Sequence, residues 1–150
     1  VMMFDEILNA VEAGHVDAGL IIHEGQLTYQ QQGLHCLLDL GQWWFDQNQL
    51  PLPLGCNLIR RDLGPDAMRQ VSAILKESIL YSLQHRNEAV AYALEFGRGL
   101  DLNLADQFVG LYVNNWTVDY GPNGRQAIQT FLNQGQTANL IPPITTLDFV

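Results

Sequence analysis

The pairing with the most chemical reach in this chain is an imidazole followed by a carboxylate at the end of an apolar run. Ala18-Gly19-Leu20-Ile21-Ile22 is uninterrupted hydrocarbon, and it stops at His23-Glu24-Gly25. Histidine is the residue type whose charge changes near neutral pH, so it can take a proton in one step and return it in the next. A neighbouring carboxylate can orient the ring or hold a substrate hydroxyl. The same pair also fits a surface contact or a cap on the following turn, and spacing alone leaves these readings open.

A short, fully apolar, Ile-rich segment is typical of a strand covered on both faces, as in parallel sheets. In open α/β sheets ligands bind just beyond the carboxyl ends of the strands, which is where His23 falls. A helix is expected before it over 2–13, with Phe4, Ile7, Leu8 and Val11 on one face and Gly14 closing it. A short helix over 26–32, closed by Gly33, and a second strand over 35–40 are expected after it. Trp43-Trp44-Phe45 cannot all point one way on a helix, and at least two are expected in the core.

Pro51-Leu52-Pro53-Leu54-Gly55 must be extended and stiff, because two prolines fix φ and block helix. It reads as a hinge between two lobes, 1–54 and 55–150. A strand over 56–60 follows, then helices over 65–84, 87–96, 104–116 and 125–134. Asp101 or Asn103 is placed to cap the third of these. Gly97 and Gly99 are expected to end the second, and a turn is expected at 120–124. The tail with Pro142-Pro143 reads as extended.

Composition bounds the function. The 150 residues carry 16 acidic and 7 basic side chains, a formal charge of -9, with Lys76 as the sole lysine. So acidic a surface repels phosphate backbones, which argues against nucleic-acid binding. No apolar run is long enough to span a bilayer and no basic-then-apolar leader opens the chain, so a soluble, cytoplasmic protein is expected. Cys36 and Cys56 lack a CxxC spacing and read as buried free thiols. None of the four histidines pairs with another at helical spacing, so no metal site is expected.

Several motifs, in order, resemble a known family. They are Asp17-Ala18-Gly19-Leu20-Ile21-Ile22-His23-Glu24, Thr28-Tyr29, Asp39-Leu40-Gly41 with Trp43-Trp44, Leu50-Pro51-Leu52-Pro53-Leu54-Gly55, Arg60-Arg61-Asp62-Leu63-Gly64 and Tyr112-Val113-Asn114. Together they are similar to 1,4-dihydroxy-6-naphthoate synthase of the futalosine route to menaquinone. The resemblance implies an α/β fold of two lobes, like periplasmic binding proteins, with the substrate between them. It implies a lyase that converts cyclic dehypoxanthinyl futalosine to 1,4-dihydroxy-6-naphthoate and dihydroxyacetone, with no metal or redox cofactor. The family's general base matches His23. Ile22, Glu24, Leu54, Tyr112 and Asn114 match positions near its pocket. The family's N-terminal lobe is not matched, so the chain reads as the second lobe plus the C-terminal helical half of the first. On that reading the chain alone is inactive, and a missing N-terminal lobe or a second chain is its expected partner besides the small-molecule substrate. A non-catalytic solute-binding module of the same fold and the sister enzyme chorismate dehydratase are the alternatives.

Overall fold

A computed structural model of the chain describes residues 2–96 and 101–150. Among the described residues there are seven α-helices: α1 (Ile7–Glu12), α2 (Leu40–Asn48), α3 (Gly64–Gln84), α4 (Arg86–Leu94), α5 (Leu102–Tyr112), α6 (Asn115–Val118) and α7 (Gly121–Thr137). Single 3-10 turns at Phe4–Glu6, Glu24–Leu27, Tyr29–Gln32 and Arg61–Leu63 punctuate the irregular segments between them.

The helices start and stop where local chemistry directs. Asp39 accepts from the backbone N–H of Gln42 at 3.0 Å and opens α2. Asp101 does the same for Leu104 at 2.8 Å and opens α5. Each such cap satisfies an orphan donor of the first turn and contributes about 1 kcal/mol. Pro65 sits in the first turn of α3, where a missing N–H leaves no bond unmade. Gly14 and Gly33 both take the left-handed conformation, each at φ +70°, that ends the turn before it.

The expected strands do not form. Among the described residues no segment pairs into a sheet, so 18–22, 35–39 and 56–60 are neither helical nor laddered, and Leu40 already belongs to α2. The α/β expectation is therefore not met within the described residues. The reason is physical: an apolar run supplies a strand's side chains but not the neighbouring backbone its N–H and C=O groups require. Leu20, Ile22, Leu37, Leu38 and Leu58 are accordingly exposed, Leu58 at 91%.

Other boundaries differ as well. The third of the four later helices breaks at Val113, which is extended, and resumes as α6 behind an Asn114 cap. The turn expected at 120–124 is the first turn of α7, with Pro122 tolerated there. Of the aromatic trio only Trp44 is buried; Trp43 and Phe45 are half exposed. Cys36 and Cys56 are free as expected but exposed rather than buried, because the segments that hold them pair into no sheet among the described residues. The end expected at Gly97 and Gly99 lies outside the described residues.

The core is small and joins the two ends of the chain. Trp44 donates its indole N–H to the Pro51 carbonyl at 3.2 Å, so the proline-rich connector is tied back to α2. Its ring meets Phe131 of α7 edge-on, with centroids 5.4 Å apart. Gln134 of α7 donates to Asn48 of α2 at 2.8 Å. Val90, Ala105 and Ala127 complete the buried apolar set with Leu8 and Leu50. Arg86 of α4 donates to the Asp106 carboxylate at 2.5 Å and to the Asp106 carbonyl at 2.8 Å, which clamps α4 to α5. None of the residues of α3 is buried, so its apolar stripe of Val71, Leu75 and neighbours is only partly covered.

Candidate active site

His23 is built into the turn that follows it. Its ring Nδ1 accepts the backbone N–H of Gly25 at 3.0 Å and so caps the 3-10 turn Glu24–Leu27. The Glu24 carboxylate lies 3.9 Å from the same Nδ1. The His23 side chain is 11% exposed, and the Phe4 ring stands over it, tilted, with centroids 5.6 Å apart. The other ring nitrogen, Nε2, is buried with no hydrogen-bond partner among the described residues. An unsatisfied buried polar atom costs about 1–3 kcal/mol, so such atoms are uncommon where they serve nothing. Glycine is needed at position 25: a Cβ there would lie 2.5 Å from His23 Cε1 and 2.5 Å from Leu8 Cδ1.

Tyr112, at the end of α5, links this turn to the rest of the molecule. Its hydroxyl donates to the Ile22 carbonyl at 3.2 Å and accepts from the Gln26 side-chain amide at 3.4 Å. Residues 86 and 90 positions apart in sequence are thereby joined on either side of His23.

On its other side Tyr112 borders a cavity of about 460 Å³. The connector supplies one wall through Pro51 to Asn57, α3 another through Leu75 and Ile79, and α5 to α7 the rest through Asn114, Trp116, Tyr120 and Ile128. The volume falls in the range typical of small-molecule sites, and the lining is largely hydrocarbon and aromatic with a few polar groups. Burial pushes the Tyr120 phenol above its ordinary value, and Cys56 adds to the effect through its charge. Tyr120 therefore stays a neutral hydroxyl, able to donate, throughout the physiological range.

The structure brings some of the expected site residues together and separates others. Leu54, Tyr112 and Asn114 share the cavity lining. Ile22 meets that cluster through its carbonyl. His23 and Glu24 are not among the lining residues. Asn114 is already committed: its Oδ1 accepts from Trp116 N–H at 2.9 Å, its Nδ2 donates to the Gly110 carbonyl at 3.2 Å, and its own N–H donates to Thr117 Oγ1 at 3.1 Å. That capping pattern turns the chain from α5 into α6 and presents Trp116 to the cavity. Trp116, Tyr120, Cys56 and Asn57 line the cavity without having been singled out from sequence. Among the described residues no three His, Cys, Asp or Glu side chains gather at metal-binding range. No helix among them is long and apolar enough to cross a membrane.

Known proteins give this geometry its context. The chain is 40% identical over 144 residues to a protein of Streptomyces coelicolor named 1,4-dihydroxy-6-naphtoate synthase, which covers 96% of this chain and 51% of that one. A Thermus thermophilus protein of the same name is 38% identical over 140 residues, covering 93% of this chain and 52% of its own length. The crystal structure of protein AF1704 from Archaeoglobus fulgidus superposes with a TM-score of 0.88 at 42% identity, over 93% of this chain and 53% of that one. The chain thus spans about half the length of the curated relatives it matches. A family model described as menaquinone biosynthesis matches residues 1–137, and the chain belongs to that menaquinone-biosynthesis family.

Proposed function

We propose that this chain is the His-bearing half of a 1,4-dihydroxy-6-naphthoate synthase. The reaction is the lyase conversion of cyclic dehypoxanthinyl futalosine to 1,4-dihydroxy-6-naphthoate and dihydroxyacetone, run in the cytoplasm. The working enzyme is a two-lobed body of the periplasmic-binding-protein type. Residues 1–54 belong to its smaller lobe and 55–150 to the returning half of the larger one. The remaining half of the relatives' length, in the same polypeptide or a second chain, completes the site, and the 150 residues alone are inactive.

The observation that carries this reading is the bond from Tyr112 to the Ile22 carbonyl, which ties the His23 turn to the rim of an apolar cavity of about 460 Å³. A flat aromatic product precursor suits walls made of Leu54, Ile79, Trp116 and Ile128. A C–H beside a ketone is acidic enough for imidazole to remove, and His23 takes that proton to open the ring and returns it later. Tyr120 offers its hydroxyl to a substrate oxygen, while Tyr112, its own hydrogen committed to the Ile22 carbonyl, shapes the wall with Ile22, Leu54 and Asn114.

The test is turnover of the cyclic substrate by the completed enzyme. His23→Ala should abolish product formation and leave substrate affinity within about threefold, because the ring acts on the transition state rather than in ground-state binding. Product at the wild-type rate from His23→Ala overturns the base assignment, and tight binding of substrate with no turnover by the wild type overturns the enzyme reading.

A further inference from the structure

The turn that holds His23 also decides which of its nitrogens can act. A neutral imidazole carries one hydrogen and one lone pair. Gly25 donates its N–H to Nδ1 at 3.0 Å, so Nδ1 holds the lone pair and the hydrogen sits on Nε2. Nε2 is also shut off from solvent and unpartnered among the described residues. In this conformation neither nitrogen can serve as a base: one lone pair is engaged and the other nitrogen has none.

We propose that this is the resting state of His23, and that Glu24 is the positioning residue that releases it. For Nε2 to accept a proton, Nδ1 must carry hydrogen, and an Nδ1–H cannot face the Gly25 N–H. The Glu24 carboxylate, 3.9 Å from Nδ1 and 25% exposed, is placed to receive it. The ring turns off the Gly25 N–H and onto Glu24. The same turn brings Nε2 out to water, which takes its proton while Nδ1 takes one in exchange, so the ring stays neutral and nothing else is consumed. Nε2 then has its lone pair, and the carboxylate holds the ring's orientation through the Nδ1–H bond and stabilises the imidazolium that forms. A second-partner carboxylate of this kind selects a tautomer without touching the substrate. The Phe4 ring over His23 closes the resting state, and the tight fit of Gly25 against His23 Cε1 and Leu8 Cδ1 is what lets the N–H reach Nδ1.

This inference rests on the base role proposed above, and two measurements keep the two apart. The first needs no activity. Long-range proton–nitrogen NMR of this chain with labelled histidine, at a pH where His23 is neutral, should show hydrogen on Nε2. A majority of the Nδ1–H form overturns the proposal whatever His23 does in catalysis. The second uses the completed enzyme. Glu24→Ala should lower kcat by roughly 10²-fold, the lower end of what a positioned base contributes, with KM within about twofold. Glu24→Asp should restore part of kcat, since the carboxylate survives on a shorter arm. A merely structural Glu24 would change stability and not the kcat-to-KM split, so an unaltered kcat in Glu24→Ala overturns its role. An active His23→Ala variant, by contrast, removes the base reading and leaves the NMR result standing.

Discussion

Gly25→Ala is the substitution that most directly probes how His23 is held. The new Cβ would stand 2.5 Å from His23 Cε1, 2.5 Å from Leu8 Cδ1 and 3.1 Å from His23 Nδ1. Contacts near 2.5 Å cannot persist, so the ring or the Leu8 side chain must move. Leu8 is itself buried, and the ring is pinned by its cap bond, so neither moves freely. Overpacking of this sort costs about 1–3 kcal/mol, and losing the Gly25 N–H to Nδ1 bond about 1 kcal/mol more. A combined loss of about 2–4 kcal/mol corresponds to a fall in Tm of roughly 4–16 °C for a chain of this length. Gly55→Ala is the matched control: a Cβ there meets nothing within 4 Å and its φ is not in the left-handed region. That control should be neutral or stabilising by about 0.4–1 kcal/mol through the unfolded chain. Thermal melts followed by circular dichroism read both variants, and the histidine nitrogen spectrum reads the ring. A Gly25→Ala protein that melts with the wild type, its His23 still hydrogen-bonded through Nδ1, would refute the packing described for this turn.

Three further outcomes follow from the same geometry. Trp44→Ala removes a side chain that is 3% exposed, its bond to the Pro51 carbonyl and its edge contact with Phe131, and should destabilise by about 3–5 kcal/mol in denaturant titration. Tyr112→Phe keeps the ring but deletes the bond to the Ile22 carbonyl, and should cost about 1 kcal/mol while raising the hydrogen-exchange rate of the 22–27 backbone. Asp119 accepts the Gly121 N–H at 2.8 Å, which, with Lys76 and Arg125 nearby, holds its carboxyl below the usual 3.8. A depressed folded value gives stability that is present above the unfolded value and lost as pH falls through the folded one. Asp119→Asn should therefore flatten the decline of Tm below pH 3.8 and leave the slope above it alone; an unchanged acid limb would refute the stabilising role of the Gly121 bond.

What the sequence made legible divides along the range of the interactions involved. A helix closes its hydrogen bonds four residues back, and its caps lie within three residues of the groups they satisfy. Hence Asp101, Gly14, Gly33 and the span of α3 are readable from neighbours alone, and the structure has them where the pattern puts them. A strand's partners can lie anywhere in a polypeptide. The apolar runs at 18–22, 35–39 and 56–60 state a preference for burial, and the chain, which spans about half the length of its relatives, contains no ladder for them among the described residues. The break at Val113 is intermediate. It depends on Asn114 competing with the helix for the carbonyls of Gly110 and Leu111, a local signal that a hydrophobic period of Leu104, Phe108, Leu111 and Tyr112 overrides when read alone.

The site divides in the same way. His23-Glu24-Gly25 is a local motif, and of the readings its spacing left open the structure has the cap: the imidazole accepts through Nδ1, and its second nitrogen is buried and unpartnered among the described residues. The cavity is not local. Leu54 is pointed to by the family resemblance, the two prolines showing only that its segment is extended, and Trp116 and Tyr120 reach the same space because α6 is short and α7 starts at Gly121. Tyr112 is where the two kinds of information meet. Its place on a helix face follows from periodicity, whereas the helix end it occupies and its bond to a carbonyl 90 residues earlier in the sequence do not. That one bond ties the turn that holds a capped histidine to a residue that lines the apolar cavity. Tyr112 is therefore the residue through which a change at the His23 turn reaches the cavity wall, and no local pattern in the sequence announces it.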